Sequence, residues 1–582
     1  MYQQTYDPLG NPLLSTLVAA IPIVVLLYFI ALHPHRDAEG RRHLGISAPL
    51  AAFYGVVAAF AVAVLVMHMP FATAFSAFAL GVLSGFVGII WIVIAAMFLY
   101  TITLITGKFE IVKESIIHIS FDRRLQVLLI AFSFGAIIEG TSGFGTPVAI
   151  AGAMMVGLGF SPFQSAVLNL LANTAPVAYG AIGTPIVTLA AVSGLNEMAL
   201  SSMAGRQLPF ASLLIPFWLV VTFVRMEGGG WAQALEIWPA TLVAGGVFAI
   251  VQFLVSNYEP LHLLTDIIAG LCSVLAVVLF LRIWHPRSRF LLAAERARAA
   301  VGPGAAASVA SSAEPYRYPY TLRETLHAWV PWVLLILCVG LWGWPQFKTF
   351  LNNLIPGVTL VNIPMPYLHQ MVQRVPPVAP PNAAPEAAIW SLNWLSAAGT
   401  GVFVAAVLSG LYLRLTPAQW GQAVARTARR MRIPVLVIAQ VLGLGFLTRY
   451  SGLDAILGLA FTSAGALYPF FSAYLGWLGV FLTGSDTASN ALFGSLQRIT
   501  AEQLHLDPVL IVAANSTGGV MGKMIDAQSI TVATAACYES PTEGANALGP
   551  IFRTVFWHSI VLAAFIGLIV MLQAYAAPWM IP

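Results

Sequence analysis

Two long apolar runs of the chain are joined by the stretch Ile138-Glu-Gly-Thr-Ser-Gly-Phe-Gly-Thr-Pro-Val-Ala149. This stretch contains the ionisable Glu139, three glycines, three hydroxyl side chains and the helix-breaking Pro147. Irregular backbone is tolerated at membrane depth only where it is buried in protein or lines a cavity. The stretch therefore predicts a broken transmembrane helix whose break is enclosed by other helices.

The composition of the chain indicates a membrane protein. Of its 582 residues, 59% are hydrophobic and only 9% are charged, and the mean hydropathy is +0.84. A soluble domain carries about 25% charged residues. The apolar runs are continuous and much longer than the roughly 10-residue strands of a membrane β-barrel. We therefore expect an all-α polytopic protein in the lipid bilayer, with about 12–14 transmembrane helices of roughly 20 residues each, some of them broken or re-entrant.

Basic residues predict the orientation of the chain. They form four clusters, which we assign to the cytoplasm because cytoplasmic loops of membrane proteins carry an excess of Lys and Arg. This assignment places both termini outside. The formal net charge of +4 is small for this length and gives no reason to expect a nucleic-acid partner. The clusters comprise Arg36, Arg41, Arg42, Lys108, Lys113, Arg123, Arg124, Arg282, Arg287, Arg289, Arg296, Arg298, Arg414, Arg426, Arg429, Arg430 and Arg432.

A change of composition in the middle of the chain suggests two halves. Residues 286–327 are rich in Arg, Ala, Gly and Ser, which is typical of a flexible linker, and we expect this linker in the cytoplasm. The first half then covers residues 1–285 and contains a broken-helix motif at 138–193. The second half covers residues 328–582 and contains a broken-helix motif at 482–537.

The two motifs have similar sequence patterns. The second contains Leu482-Thr-Gly-Ser-Asp-Thr-Ala-Ser-Asn490, again a polar stretch between apolar runs. Glu139 is followed 34 residues later by Asn173, and Asp486 is followed 29 residues later by Asn515. Paired interrupted segments in two halves are the sequence pattern of a secondary transporter. We therefore expect two structural repeats, inverted relative to each other, with a binding site between them.

Broken helices place free N–H groups and the positive end of the helix dipole at the middle of the bilayer, which favours a small anion. Glycines allow the backbone to approach such a solute closely, and hydroxyl and amide side chains supply hydrogen bonds. The predicted substrate-binding residues are Thr141, Ser142, Gly143, Gly145, Asn173, Ser485, Thr487, Ser489, Asn490, Asn515, Lys523, Gln528 and Ser529.

Two acids in these motifs are candidates for proton coupling. A carboxylate at membrane depth costs on the order of 2.5–3.5 kcal/mol on insertion scales, so Glu139 and Asp486 need a reason to be there. One alternative is that each only caps a half-helix. Lys523 also has two interpretations: it holds the carboxylate of a substrate, or it forms an ion pair with Asp526 at i,i+3 spacing.

The sequence contains no motif of an enzyme or of a metal or cofactor site. It has no Walker A pattern, no HExxH, no paired CxxC and no haem motif. A membrane-embedded transferase would need an interfacial His/Asp/Arg cluster, and none is evident. Cys272, Cys338 and Cys537 are odd in number and lie in apolar surroundings, so they give no disulfide framework. We expect a protein that is not an enzyme, without cofactor or metal.

The same residues resemble those of the L-lactate permeases. The resemblance extends from Tyr6-Asp-Pro-x-Gly10 to Trp579-Met-Ile-Pro582. Its most specific segments are Glu139-Gly-x-x-Gly-Phe-Gly-x-Pro-Val-Ala-Ile150, Asn173-Thr-Ala-Pro-Val177, Gly205-Arg-Gln-Leu-Pro-Phe210, Gly476-Trp-Leu-Gly-Val-Phe-Leu-Thr-Gly-Ser-Asp-Thr487 and Gly518-Gly-Val-x-Gly-Lys-Met-Ile525. The chain departs from the family pattern at Asp526-Ala527, where Ser-Pro is familiar, and at Arg449, where a neutral residue is usual.

The resemblance implies a symporter in the cytoplasmic (inner) membrane of a bacterium that imports L-lactate, and often glycolate or related 2-hydroxy monocarboxylates, together with a proton. In this interpretation Glu139 carries the proton and Lys523 holds the carboxylate. Asn173, Asn515 or nearby hydroxyl groups bind the 2-hydroxyl group. Sodium coupling through Asp486 is an alternative, and an anion channel is another.

Overall fold

The computed structural model describes residues 1–29, 33–36, 42–44, 46–143, 145–293, 295–296, 319–381 and 383–582. Arg41, Phe144, Arg298 and most of the predicted linker lie outside these ranges.

The described part of the first half is almost entirely helical. Its α-helices are α1 Pro12–Leu27, α2 Ala48–Ala61, α3 Phe71–Gly85, α4 Trp91–Ile105, α5 Lys108–Ile117, α6 Arg123–Gln126, α7 Gly135–Ser142, α8 Thr146–Gly157, α9 Pro162–Ala172, α10 Gly180–Ser193, α11 Glu197–Ala204, α12 Leu208–Met226, α13 Trp231–Leu235, α14 Trp238–Ser256 and α15 Thr265–Phe280. Segments of π-helix at Val62–Val66, Phe86–Ile90 and Val127–Phe134 extend α2, join α3 to α4 and join α6 to α7.

The described part of the second half is also mainly helical. Its α-helices are α16 Leu322–Gly343, α17 Pro345–Asn353, α18 Ala398–Tyr412, α19 Pro417–Ser451, α20 Leu453–Phe461, α21 Tyr468–Thr483, α22 Asp486–Gln503, α23 Pro508–Gly522, α24 Ala527–Cys537 and α25 Pro541–Tyr575. The described strands form three two-stranded pairs: β1 Tyr2–Gln3 with β5 Val372–Gln373, β2 Pro34–Arg36 with β3 Arg42–Leu44, and β4 Val361–Pro364 with β6 Ile389–Leu392.

The predicted all-α polytopic class is confirmed. Ten helices in the described ranges are long and apolar enough to cross a membrane, or eleven if the bent pair Pro162–Ala172 and Val177–Ser193 counts as one span. Three shorter apolar helices, α1, α8 and α18, are additional. The sequence estimate was higher than the number of long helices because the halves of broken helices are too short to pass as full spans.

Helices begin where the sequence provides N-capping residues. Ser161 and Gln164 form a capping box at the start of α9, with Pro162 at the first helical position. Thr321 and Glu324 form another at the start of α16. This second capping box explains why α16 begins at Leu322, within the range assigned to the linker from composition.

The start of the predicted linker is attached to the first half. The fully buried Arg124 donates a hydrogen bond from Nη2 to the Ser288 carbonyl at 2.8 Å and forms an ion pair with Asp122. The Phe290 N–H donates to Asp122 Oδ2 at 3.0 Å, and Arg123 pairs with Glu295. These contacts fix the described residues after α15 against the beginning of α6.

Both motifs contain two broken helices. In the first, α7 ends at Ser142 and α8 begins at Thr146, and α9 and α10 are separated by an irregular segment with a 69° bend. In the second, the breaks lie between α21 and α22 and between α23 and α24. Gly143 has φ +57° and Gly484 has φ +71°, values that L side chains rarely adopt. The glycines recognised in the sequence are therefore the points at which the helices break.

An unusual backbone segment lies at the second break of the first motif. Ala181, Ile182 and Gly183 have consecutive φ values of +46°, +57° and +67° and are buried. A left-handed conformation of a non-glycine residue costs on the order of 1–3 kcal/mol and persists only where the surroundings enforce it. A Cβ built on Gly143 would lie 3.0 Å from Ala181 Cβ, so the two breaks of this motif are in contact.

Helices α21 and α23 pack along a seam of glycines, which we define as Gly476, Gly518 and Gly522. A Cβ on Gly476 would overlap the Asn515 carbonyl, one on Gly518 would overlap Ala473, and one on Gly522 would overlap Trp477. Small residues allow this backbone contact between transmembrane helices. The glycine seam therefore fixes the positions of the two breaks that follow these helices.

We expect Gly518→Ala to destabilise the protein because its methyl group would collide with the backbone of α21. Overpacking of this kind costs about 1–3 kcal/mol. Gly421→Ala is the matched control, since Gly421 lies in α19 and no atom outside its own stretch of helix lies within 4 Å of a built Cβ. Thermal unfolding in detergent should show a lower midpoint for Gly518→Ala and an unchanged or slightly higher one for Gly421→Ala. Equal midpoints for the two variants would contradict the packing argument.

Candidate functional site

The two broken-helix motifs contact each other at the centre of the molecule. Helix α24 packs against α8 and α9, and α22 packs against α10. Asn490 Nδ2 of α22 donates a hydrogen bond to the Pro185 carbonyl of α10 at 3.1 Å. A Cβ built on Gly145 would lie 3.8 Å from Val532 Cγ1 of α24. Residues from the two halves are therefore parts of one buried site.

Lys523 lies at the second break of the second motif, where it is only 4% exposed. Its Nζ donates a hydrogen bond to the Gly484 carbonyl at 2.6 Å and lies 3.4 Å from Asp526 Oδ2. Asp526 Oδ1 also accepts a hydrogen bond from the Ser529 N–H at 2.7 Å and so caps α24. The ion pair between Lys523 and Asp526 is thus present. Because an ammonium group has three donors, these contacts leave one for a ligand.

Glu139 lies one turn before the first break, and its side chain is buried. Its Oε2 has no hydrogen-bond partner, and a Cβ on Gly180 would lie 2.8 Å from its Oε1. Its electrostatic neighbours include Lys523, Asp526 and the Asn173 side chain. The structure therefore places Glu139 beside Lys523, the residue of the second motif that was predicted to hold the carboxylate of a substrate.

Asp266 is a site residue that the sequence analysis missed. It is fully buried at the start of α15, its carboxyl oxygens have no well-aligned hydrogen-bond partner, and it interacts electrostatically with Glu139 and with the Tyr179 backbone. Helices α7 and α15 approach closely here, since a Cβ on Gly140 would lie 3.2 Å from Asp266 Cβ. An acid inside the apolar run 262–284 was the signal that could have revealed it.

Asp486 is the first residue of α22 and belongs to a buried hydrogen-bond network. Its Oδ2 accepts hydrogen bonds from Ser516 Oγ at 2.5 Å and from Asn490 Nδ2 at 3.3 Å, whereas its Oδ1 has no partner. Asn515 Nδ2 donates to Asn490 Oδ1 at 2.9 Å, and Gln497 Nε2 donates to Asn515 Oδ1 at 3.2 Å. The network brings together three predicted residues and adds Ser516 and Gln497, which are ordinary polar positions in the sequence.

Several predicted hydroxyl groups have backbone partners. Thr141 and Ser142 donate hydrogen bonds to carbonyl groups of their own helix, and Ser489 donates to the Gly476 carbonyl at 3.0 Å. Ser485 caps α22 by accepting a hydrogen bond from the Ala488 N–H. The protons of Thr141, Ser142 and Ser489 therefore already have acceptors, although their oxygens retain acceptor capacity.

The remaining predicted residues surround the breaks. Gly143 and Gly145 lie in the first break, and Thr487 is buried one residue after Asp486. Ser529 Oγ is buried without a partner, whereas Gln528 is exposed and lies close to Gly484. Ser529 is therefore a buried hydroxyl group whose full hydrogen-bonding capacity is left for a solute.

The two motifs differ in where their corresponding residues lie. Glu139 precedes its break by one turn, but Asp486 immediately follows its break. Asn173 caps the end of α9, whereas Asn515 lies within α23, seven residues before its end. The pattern of acid, Asn and Gly in the sequence therefore does not correspond to equivalent positions around the breaks.

Buried polar atoms without partners are concentrated at this site. Nine of the sixteen such side-chain atoms in the described ranges belong to Glu139, Asn173, Thr174, Asp266, Asp486, Asp526 and Ser529. Four of these residues are acids, and the buried basic residue Lys523 lies beside one of them, Asp526. Ionisation of all four acids would leave a large uncompensated negative charge in a medium of low dielectric constant. The arrangement is suited to holding protons and to binding a small anion beside Lys523.

A cavity of about 750 Å³ lies on the side of the molecule that carries the basic clusters. We call it the basic-side cavity. Its lining includes Tyr100, Ala149 and Ile150. It also includes three basic and three acidic side chains: Lys113, Arg123, Arg289, Glu110, Glu114 and Glu295. In the described ranges no three His, Cys, Asp or Glu side chains are arranged to hold a metal ion.

One protein family and its members are similar to this chain in sequence over almost its whole length. The model of the family described as L-lactate permease matches residues 15–577. The L-lactate permease of Salmonella typhimurium is 42% identical and aligns over 100% of both chains. The glycolate permease GlcA of Escherichia coli is 42% identical over 99% of this chain and 98% of its own. Among solved structures, Neisseria gonorrhoeae MtrF covers 97% of this chain and 95% of its own, at 12% identity and a TM-score of 0.43.

Proposed function

The chain belongs to the L-lactate permease family, and from this premise we propose that it imports L-lactate, together with glycolate or related 2-hydroxy monocarboxylates, by proton symport across the bacterial inner membrane. The observation that carries the proposal is the family match over residues 15–577, since it includes both broken-helix motifs. The chain is a multi-pass membrane permease, and the basic clusters support an orientation with both termini outside.

Proton coupling follows from the charge of the proposed substrate. An anion that enters a cell with a negative interior is opposed by about 2.3 kcal/mol per 100 mV, which corresponds to nearly fiftyfold in concentration. One proton carried with each anion cancels this charge and adds the energy of the pH gradient. We assign the proton to Glu139, because its Oε2 is buried without a hydrogen-bond partner and is near Lys523.

Substrate recognition is assigned to the polar atoms that have no protein partner. Lys523 would hold the carboxylate with its remaining donor. Asn173, whose side chain lies beside Glu139, and Ser529 Oγ, which has no partner, would bind the 2-hydroxyl group. Asn515 is a weaker candidate for this role, since both ends of its amide are already used in the network around Asp486. The other residues predicted to bind substrate would contribute backbone atoms and define the shape of the site.

Transport by purified protein in liposomes tests this proposal. With the membrane potential clamped to zero, a pH gradient of one unit, alkaline inside, should drive about tenfold accumulation of lactate by a 1:1 symporter. A sodium gradient at equal pH should drive none. Protein-free liposomes are the control for diffusion of undissociated lactic acid.

Each alternative predicts a different result of this experiment. Accumulation driven by sodium would support a sodium-coupled carboxylate transporter, in which the oxygens of Asp486, Ser516 and Asn490 are the available ligands. Lactate flux that only equilibrates under both gradients would indicate an anion channel.

A further inference from the structure

Arg430 reaches from α19 to the first broken helix. Its Nη2 donates a hydrogen bond to Thr146 Oγ1 at 3.4 Å, and Thr146 is the first residue of α8. Its guanidinium carbon lies 6.0 Å from the centre of the Tyr100 ring. Within the described ranges, no Asp or Glu forms an ion pair with Arg430. Its side chain is exposed, so the guanidinium group is accessible to an anion.

The residues that Arg430 contacts lie in the wall of the basic-side cavity or next to it. Tyr100 lines the cavity, and so do Ala149 and Ile150, which lie on α8 within about one turn of Thr146. Two other cations of the cavity wall, Lys113 and Arg123, are paired with Glu110 and Glu295. Arg430 therefore contacts both a residue of the cavity wall, Tyr100, and the first residue of α8, and no acidic side chain in the described ranges forms an ion pair with it.

We propose that Arg430, Thr146 and the N-terminus of α8 form a second anion subsite, which binds the carboxylate of the transported solute between the basic-side cavity and Lys523. This inference rests on the proposed function, because it takes the transported solute to be a monocarboxylate. A guanidinium group binds a carboxylate with two parallel hydrogen bonds. The positive end of the dipole of the 12-residue helix α8 adds to this attraction, and the Thr146 hydroxyl orients the guanidinium group.

The two anion subsites differ in their surroundings. Arg430 is exposed, and Lys523 is almost completely buried beside Asp526. A carboxylate at Arg430 thus keeps part of its hydration, and it loses the rest only at Lys523. The subsite at Arg430 should therefore determine the affinity at the face of the protein where the cavity opens, and the opposite face should be little affected.

Transport in vesicles of both orientations tests the subsite. Removing one charge-assisted hydrogen bond to a carboxylate costs about 1.5–3 kcal/mol, so Arg430→Gln should raise the half-saturating lactate concentration at the cavity face about tenfold or more. At the opposite face we expect a change of less than about twofold. Thr146→Val should produce a smaller increase at the cavity face. Arg430→Lys should produce an intermediate increase, because lysine retains the charge but lacks the paired planar donors of the guanidinium group.

Arg429→Gln is the matched control, since it removes the same charge from the neighbouring position of α19. It should change the half-saturating concentration by less than about twofold at either face. Equal increases at both faces, no increase at all, or the same effect for Arg429→Gln would each overturn the subsite. A wild-type protein that transports neither lactate nor glycolate would overturn the proposed function as well. If Arg430→Gln fails to fold, the same comparison is made between Arg430→Lys and Arg429→Lys.

Discussion

Replacing Glu139 with Gln should abolish lactate accumulation driven by a pH gradient but preserve the exchange of internal for external lactate. Glutamine has nearly the shape of a protonated glutamate, yet it neither releases nor takes up a proton. The carrier would therefore remain in its proton-loaded form and move the anion in both directions. We expect the accumulation ratio under a one-unit pH gradient to fall from about ten to about one.

The environment of Glu139 explains why its substitution should separate these two activities. The carboxyl group is buried, and its Oε2 has no hydrogen-bond partner that an amide would lose. Lactate exchange should consequently stay within a few-fold of the wild-type rate. Parallel measurements of accumulation and of counterflow of labelled lactate in the same liposomes give both quantities.

Asp486→Asn and Asp266→Asn are the informative comparisons. Asp486 Oδ2 accepts hydrogen bonds from Ser516 and Asn490, so its substitution should disturb the network and lower accumulation and exchange together. Asp266 interacts electrostatically with Glu139, and apart from the Tyr179 backbone it has no neighbouring hydrogen-bond donor among the contacts described. Unchanged proton coupling in Glu139→Gln, with loss of coupling in Asp486→Asn or Asp266→Asn, would transfer the proton to that other acid.

Replacing Lys523 with Met should reduce both accumulation and exchange by about 10- to 150-fold. The substrate would lose a charge-assisted hydrogen bond worth about 1.5–3 kcal/mol. In addition, Asp526 would be left as a buried acid without its partner, and breaking a buried ion pair costs about 3–5 kcal/mol. Initial rates of uptake and counterflow in liposomes measure the loss, and thermal unfolding measures the stability.

A double substitution distinguishes the two roles of Lys523. In Lys523→Met with Asp526→Asn, the unpaired acid is removed, so we expect stability to recover. If Lys523 binds substrate, transport stays low in the double variant, as the proposal requires. Recovery of transport would show instead that Lys523 only neutralises Asp526. Lys113→Met is the control, because Lys113 forms an i,i+3 pair with Glu110 that is far more exposed to solvent, and it should have little effect.

Much of the fold followed from elementary properties of the sequence. Low charge content and long apolar runs predicted the helical membrane class, and the glycines beside Glu139 and Asp486 predicted where helices break. The number of crossings was harder to obtain because half-helices such as α8 and α24 have the hydropathy of incomplete spans. Hydropathy averages over a window, and it does not distinguish a short helix from the end of a long one.

The site was predictable only where its residues interrupt an apolar pattern. Lys523, Glu139 and Asp486 stand out for this reason. Asp266 was missed because a single acid scarcely alters the hydropathy of the long apolar run around it. The hydrogen bonds of Asn515 with Asn490 and Gln497 depend on how α22 and α23 pack, so no local pattern indicated that this amide is already engaged.

The glycine seam between α21 and α23 has a practical consequence for protein engineering. A library that randomises the second motif as a whole would lose many of its members to misassembly, since any side chain at Gly476, Gly518 or Gly522 collides with a facing helix. Diversity confined to Asn173, Gln528 and Ser529 leaves that framework intact. Selection for growth on other hydroxy acids would then sample changes in specificity among carriers that still reach the membrane.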